Sequence, residues 1–124
     1  MILVDSSVWI DFFKSDKDNQ IPQLIQENLV ITNEIILTEL IPFALHKNEP
    51  EIVQGLKSLP LLPLDIDWIG LQMLQSLNLK NGLNKVGIPD LIICQQVLQH
   101  KVQLWSLGKH FNLISKYTNL ELFE

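Results

Sequence analysis

Apolar residues follow two patterns along the chain. Short continuous apolar runs are typical of buried strands, and they predict strands over 2–4, 29–32, 60–64, 102–107 and 120–123. Apolar residues spaced three or four apart predict helices over 6–13, 21–28, 34–46, 49–59, 67–80, 89–100 and 109–117. Strands that alternate with helices imply a parallel sheet covered by helices on both faces. The predicted fold class is therefore α/β.

Capping residues and prolines refine these boundaries. Side chains that commonly cap helix N-termini precede three of the predicted helices: Ser6 or Ser7, Thr32 or Asn33, and Asp65 or Asp67. Pro42 lies inside the helix over 34–46 and predicts a kink or break between residues 38 and 41. Prolines bound the strand over 60–64, which favours a place at the edge of the sheet. A polar loop is predicted over 14–20.

Length and composition predict one intracellular domain. The 124 residues fit a single domain over 1–124, and hydrophobic residues make up 47% of them. The chain shows no apolar run long enough to span a bilayer and no signal-peptide pattern, so no membrane role is expected. Its single cysteine, Cys94, excludes an intrachain disulfide, lies in an apolar helical pattern and favours a reducing cytoplasm. We expect Cys94 to be a buried packing residue.

The charge balance restricts nucleic-acid binding. The net charge is −5, and all nine basic residues are lysines. Most nucleic-acid-binding proteins carry a basic surface, and arginine is the residue best suited to bidentate phosphate contacts. A role on nucleic acid would therefore need local lysines or a bound divalent cation. Four lysines in predicted loops or at helix ends near the expected active edge are candidates, although ordinary solvated lysines are the favoured interpretation: Lys80, Lys85, Lys101 and Lys109.

Three acidic residues stand apart from the others. Asp5 ends a buried strand, Glu39 lies within the apolar sequence IILTELI, and Asp90 begins an apolar helix after GIP. Ligand sites in parallel α/β sheets lie at the carboxyl ends of the strands. Carboxylates that converge there suit Mg²⁺, which prefers oxygen ligands. Helix capping by Asp90 and a surface position for Glu39 are the structural alternatives.

Four segments together resemble a known family. ILVDSSVWIDFF, ILTEL, LPLLPLDIDWIGLQ and GIPDLIICQQVLQH are similar in order and spacing to the PIN domain, in particular the VapC-type toxins of type II toxin–antitoxin pairs. The resemblance implies a three-layer α/β/α sandwich around a central, mostly parallel twisted sheet. It also implies an Mg²⁺- or Mn²⁺-dependent endoribonuclease, with RNA as substrate, a cognate antitoxin as partner and a homodimer as the assembly.

The resemblance assigns roles to particular residues. Asp5 and Asp90 correspond to metal ligands, and Glu39 corresponds to a ligand or a base that orients water. Ser6 corresponds to the hydroxyl residue after the first acid, while capping is its alternative role. For the homodimer, the first helix and the helix over 35–43 are the expected surfaces.

One position departs from the family pattern. The family usually carries T-x-D-x-x-F after the fourth strand, and here Ser106 stands at the Thr position and Phe111 at the Phe position. Gly108 stands where the fourth acid is expected, and the chain has no Asp or Glu between Asp90 and Glu121. The resemblance therefore leaves two alternatives open. The protein is a nuclease of reduced activity, or it is an inactive PIN-fold module that binds a partner through exposed aromatic residues of the first helix, such as Trp9, Phe12 and Phe13. A place in the core is the alternative for these three residues and is the favoured one for Trp9.

Overall fold

The structure, a computed structural model, describes residues 1–14 and 20–124. Within these residues the chain forms seven helices and four strands. In order they are β1 (Ile2–Val4), α1 (Ser6–Lys14), α2 (Ile21–Gln26), β2 (Val30–Ile31), α3 (Glu34–His46), α4 (Pro50–Lys57), α5 (Trp68–Lys80), α6 (Ile88–His100), β3 (Gln103–Trp105), α7 (Lys109–Ile114) and β4 (Glu121–Leu122). The polar loop predicted over 14–20 lies largely outside the described residues.

The four strands form one parallel sheet in the order β2–β1–β3–β4. Leu3 of the central strand β1 pairs with Ile31 on one side and with Leu104 on the other. All strands point the same way, so their carboxyl ends meet at one edge, which we call the carboxyl edge. The predicted three-layer α/β/α sandwich with a parallel central sheet is confirmed.

The hydrophobic core includes the strands and most of α6. All seven residues from Leu91 to Val97 are buried, including the polar Gln95 and Gln96, whose side chains bond to the backbone of Asp67 and Asp65. Cys94 lies among them, and burial, assisted by the negative charge of Asp90, raises the pKa of its thiol to about 12. The thiol therefore stays protonated at neutral pH, as expected of a packing residue. Trp9 is also buried in the core.

The break predicted at Pro42 is wrong, because α3 continues through it to His46. Pro42 is exposed, so its ring needs no place in the core. It removes one backbone donor, but three buried residues hold the same helix against the core: Ile36, Leu40 and Ala44. Tertiary packing thus outweighs the local cost of the proline.

The strand predicted over 60–64 is reduced to a single bridge between Thr32 and Leu61. The N–H of Thr32 donates to the carbonyl of Pro60 at 3.0 Å, and the N–H of Leu62 donates to the carbonyl of Thr32 at 2.7 Å. Pro60 and Pro63 have no N–H to continue the ladder. The segment lies next to β2, at an edge of the sheet, as predicted.

Two predicted caps are confirmed and one is wrong. The Asn33 side chain accepts from the N–H of Ile36 at 2.9 Å, and Asp67 accepts from Gly70 at 3.0 Å. The first helix begins at Ser6 itself, and the serine hydroxyls form other hydrogen bonds, described below. In the described part of the chain, no helix is long and apolar enough to cross a bilayer.

Candidate active site

Asp5 is the one residue between the end of β1 and the start of α1. Its N–H donates to the carbonyl of Trp105 at 2.8 Å, which continues the pairing of β1 with β3. Its own carbonyl accepts from the N–H of Val8 at 3.1 Å, the first turn of the helix. The residue is only 7% exposed. Asp5 thus joins strand and helix, and its side chain lies at the carboxyl edge with little contact with solvent.

Two serine hydroxyls hold the Asp5 carboxylate. Ser7 Oγ and Ser106 Oγ each donate to Asp5 Oδ2 at 2.8 Å. The hydroxyls are themselves held by backbone donors, since Leu107 N–H bonds to Ser7 Oγ at 3.1 Å and Gly108 N–H bonds to Ser106 Oγ at 3.0 Å. Hydrogen bonds to the ionised form compensate for the burial of a carboxylate. The network fixes one oxygen of Asp5 and does not use the other.

Glu39 reaches the same edge from α3. Its Oε2 accepts a hydrogen bond from Ser6 Oγ at 3.1 Å. Partial burial of the carboxylate raises the pKa of Glu39 above its ordinary value, and the Ser6 hydrogen bond opposes this rise. The negative charges of Asp5 and Asp90 raise the pKa further. Glu39 is therefore within electrostatic reach of both aspartates.

Asp90 lies in the first turn of α6 and is half-buried. Burial raises its pKa, the charge of Asp5 raises it further, and His110 lowers it. The structure therefore brings together the three predicted acids, Asp5, Glu39 and Asp90, at one place. It adds a basic group, His110 of α7, which the sequence analysis did not predict for the site.

Gly108 lies at this site as well. It is the residue before α7, and its N–H contacts the Ser106 hydroxyl that holds Asp5. Its φ of −72° and ψ of 134° suit any L-residue. A Cβ at this position would lie 3.3 Å from Ser106 Oγ and 3.5 Å from the Phe111 ring, so a side chain needs only a small shift of its neighbours. The position expected to carry a fourth acid is therefore at the site, and a Cβ there fits after a small shift of Ser106.

The structure adds two residues that the sequence did not assign to the site, Ser7 and His110. Ser7 donates to Asp5, while Ser6, the hydroxyl residue that follows the first acid, donates to Glu39 and does not cap α1. The sequence gives little reason to choose His110, because its three histidines do not have the spacing of metal ligands. The available signal was its position two residues after Gly108, on a helix that starts at the carboxyl edge. Lys109 shares that helix start, whereas Lys101 precedes β3 and lies at the opposite edge, contrary to expectation.

The carboxylates of the site suit a hard divalent cation in their chemistry, and their spacing suits an ion that keeps several waters. The charge of Asp5 raises the pKa of both Glu39 and Asp90, so the three carboxylates are a set of like charges that a cation would neutralise. In residues 1–14 and 20–124, however, no three Asp, Glu, His or Cys side chains are close enough together to hold one ion directly. Mg²⁺ is commonly bound through one or two carboxylates and several waters. The site fits that mode of binding, and not a cage of direct protein ligands.

Three solved structures have a similar fold. The chain is 19% identical to a chain in the crystal structure of VapBC2 from Rickettsia felis bound to a promoter DNA fragment, with a TM-score of 0.77, covering 99% of this chain and 98% of that one. It is 19% identical to a chain in the structure of VapBC-1 from nontypeable Haemophilus influenzae, with a TM-score of 0.76, covering 100% of this chain and 98% of that one. It is 18% identical to a chain in the structure of DNA-bound VapBC from Salmonella typhimurium, with a TM-score of 0.72, covering 98% of this chain and 96% of that one.

A comparison with curated proteins gives no match. A family model described as PIN domain matches residues 2–117, a range that includes all three acids and Gly108. The match spans nearly the whole chain, and the parallel sheet with acidic residues at its carboxyl edge agrees with it. The chain therefore belongs to the PIN domain family.

Proposed function

We propose that this protein is the toxin of a VapBC-like toxin–antitoxin pair and hydrolyses RNA phosphodiester bonds with the help of Mg²⁺ or Mn²⁺. One observation supports the proposal: Asp5, Glu39 and Asp90 lie near one another at the carboxyl edge of a parallel sheet, and the negative charge of Asp5 raises the pKa of both Glu39 and Asp90. A cluster of acids repels the phosphates of RNA unless a cation lies between them. The arrangement is therefore suited to a metal-assisted reaction on a phosphodiester.

In this proposal, some side chains of the site hold the metal ion and others transfer a proton. Asp5 and Asp90 would hold the ion, and the serine hydroxyls keep Asp5 in one orientation. When bound, the ion would supply a water of lowered pKa and would neutralise charge on the phosphoryl oxygens. Glu39, whose pKa is raised, would orient a water and accept a proton from it. His110 offers a positive charge, when protonated, beside Asp90.

The partners follow from the same proposal. The similar structures are described as VapBC complexes, and a VapB-like antitoxin is accordingly the partner that we propose for this chain. We also propose that the chain pairs with a second copy of itself and works in the cytoplasm. Co-expression with the neighbouring small reading frame, followed by co-purification, tests the antitoxin.

A cleavage assay tests the reaction. The purified chain is incubated with structured RNA in Mg²⁺, in Mn²⁺ and in chelator, and Glu39→Gln is compared with Glu121→Gln. Glu121 begins β4, at the opposite edge of the sheet, so the two variants remove the same charge at different places. Cleavage that needs the metal and is lost only in Glu39→Gln supports the proposal. Equal cleavage by both variants, or cleavage in chelator, contradicts it.

A second candidate is an inactive PIN-fold binding module. Gly108 at the position of the fourth acid favours it, as does the absence, among the described residues, of a group of three side chains that could hold a metal. Calorimetric titration with Mn²⁺ separates the candidates. Binding at millimolar concentrations or below, lost in Asp5→Asn, favours the nuclease, whereas no binding favours the module.

A further inference from the structure

A series of side-chain hydrogen bonds links the turn after α7 to the loop before α6. Tyr117 Oη donates to Asn78 Oδ1 at 2.6 Å, and Asn78 Nδ2 donates to Gln75 Oε1 at 3.1 Å. Gln75 Nε2 in turn donates to the carbonyl of Val86 at 2.8 Å. Gln75 and Asn78 are three residues apart on α5, a spacing that lets their side chains meet. We call these four residues the amide network.

The two ends of the amide network fix the direction of every bond in it. A backbone carbonyl can only accept, so Gln75 turns its NH₂ group toward Val86 and its oxygen toward Asn78. Asn78 then presents its NH₂ group to Gln75 and its oxygen to Tyr117. Burial raises the pKa of the Tyr117 hydroxyl, so its proton stays available for donation. The network therefore has a single arrangement in which every bond is made.

Asn78, in the middle of the network, has no exposed surface. Burying an amide is unfavourable, and its hydrogen bonds do little more than offset that cost. An asparagine at such a position therefore contributes direction more than stability. Its backbone carbonyl also accepts from the N–H of Leu83 at 2.9 Å. The loop after α5 is thus held near its start by Asn78 and near its end, at Val86, by Gln75.

The start of α6 has few other anchors. Its N-cap is Gly87, which has no side chain to cap the helix, and residues 87–89 are all exposed. Among the described residues, Val86 is the one residue of the segment 84–89 whose backbone forms a hydrogen bond with another helix or strand. Asp90 follows in the first turn of α6. The bond from Gln75 to Val86 therefore controls where that turn, and Asp90 with it, is placed.

We infer that Gln75, Asn78 and Tyr117 are positioning residues, which hold Asp90 in place for the divalent cation. The inference rests on the proposed function, because it concerns the same site. Losing a residue that orients a metal ligand directly commonly lowers metal affinity about 10–100-fold. The amide network acts through a backbone segment and not on the ligand itself. A smaller loss, of about 3- to 10-fold, is therefore expected when the network is broken.

Gln75→Met breaks the network at the bond that matters most. Methionine is similar in length to glutamine, but its thioether cannot donate to the Val86 carbonyl. The matched control is Gln96→Met, the same substitution on α6 itself. Gln96 is fully buried and bonds to the backbone N–H and carbonyl of Asp65, at a position further along the helix than Asp90. The control therefore loses hydrogen bonds and stability without releasing the start of α6.

Three measurements are made on the unaltered chain and both variants: amide hydrogen exchange by NMR without metal, calorimetric titration with Mn²⁺, and thermal unfolding. In Gln75→Met we expect faster exchange of the Leu91 amide, which bonds to the Gly87 carbonyl at 3.0 Å, and a loss of Mn²⁺ affinity of about 3- to 10-fold. Gln96→Met should lower the Tm more than Gln75→Met does. Its Leu91 exchange and its Mn²⁺ affinity should match those of the unaltered chain.

Tyr117→Phe adds a graded test of the same network. It removes the donor at the far end and leaves the bond between Gln75 and Val86 in place. We expect the same two changes as in Gln75→Met, each of them smaller. A larger effect than that of Gln75→Met would contradict the order of bonds on which the inference depends.

Two results for Gln75→Met would overturn the inference: unchanged exchange at Leu91, or faster exchange there with unchanged Mn²⁺ affinity. An equal loss of Mn²⁺ affinity in Gln96→Met would also overturn it, because the loss would then follow from reduced stability alone. Failure of the proposed function looks different. An unaltered chain that binds no Mn²⁺ rejects the metal site, and exchange at Leu91 then decides alone whether the network holds the start of α6.

Discussion

Asp5 is held by hydrogen bonds that engage one of its two carboxylate oxygens. Both serine hydroxyls donate to Oδ2, and the backbone of residues 107 and 108 in turn fixes those hydroxyls. The acid is therefore oriented by the segment after β3, the same segment that contains Gly108. A change at residue 108 should act on the metal site through a short and defined path.

Gly108→Asp should tighten Mn²⁺ binding and increase RNA cleavage. A single electrostatic group at an active site is commonly worth on the order of 10²–10³ in rate, so a gain of up to about 10²-fold is expected. Because Asp also caps α7, Gly108→Asn is the matched control, since Asn caps equally well and adds no charge. Calorimetry and the cleavage assay measure both effects. Adding Asp5→Asn should abolish the gain, and an equal gain from Gly108→Asn would attribute it to capping alone.

Glu39→Gln should stabilise the protein at neutral pH in chelator. The pKa of Glu39 is raised in the folded state, so ionisation of this group favours unfolding, and its contribution to stability is lost as the pH rises through that pKa. Gln at position 39 cannot ionise, so the variant does not lose this stability as the pH rises. Thermal unfolding should show a higher Tm for Glu39→Gln at neutral pH and no gain at acidic pH, where the carboxyl is protonated. Glu121→Gln serves as control, and a lower Tm of Glu39→Gln at neutral pH would contradict the electrostatic account.

The three acids were predictable residue by residue, and their hydrogen-bond partners were not. Each acid borders an apolar segment, which is visible in sequence. The partners of the serines depend on where α1 begins, and a shift of one residue exchanges the directions of Ser6 and Ser7. Boundaries at this precision are not encoded in apolar spacing. His110 depends in the same way on the packing of α7.

At the scale of elements, α3 is the helix that carries Glu39 to the site. The Asn33 cap sets its start, and four buried residues fix its rotation against the core: Ile36, Leu37, Leu40 and Ala44. Apolar spacing predicted this helix, and local rules alone overestimated the effect of Pro42. The same rules underestimated Pro60 and Pro63, which shorten a predicted strand to one bridge. The effect of a proline on a helix or strand thus depends on whether the proline is exposed and on whether its N–H would be needed for pairing. Both are set by the tertiary structure.

Pro42→Ala should stabilise the protein. Proline inside a helix costs about 3 kcal/mol relative to alanine when nothing compensates, and α3 continues past the exposed Pro42, so part of this cost is already offset and a gain of about 1–3 kcal/mol is expected. Urea unfolding followed by circular dichroism measures the difference. Pro22→Ala is the control, because Pro22 lies in the first turn of α2, where proline is well tolerated. A loss of stability in Pro42→Ala would show that a bend at Pro42 is needed for packing.

At the scale of the whole molecule, the parallel sheet explains why distant segments form one site. Asp5 follows β1, Glu39 belongs to the helix after β2, and Gly108 follows β3, so three adjacent strands deliver them to one edge. The α/β class and the shared edge followed from the alternation of strands and helices. The exposure of Trp68, Ile69 and Met73 on α5 could not be predicted in this way, because a helix with apolar residues on several sides gives no indication of which side the core covers.

The central claim is that the acids at the carboxyl edge form a divalent-cation site. Crystals of the protein soaked in Mn²⁺ and measured for anomalous scattering locate the ion directly. The account predicts a strong peak within coordinating distance of the carboxylate of Asp5, Asp90 or both, lost in Asp5→Asn crystals and retained in Glu121→Gln crystals. No peak at this edge at saturating Mn²⁺, or a peak only elsewhere on the molecule, would contradict it.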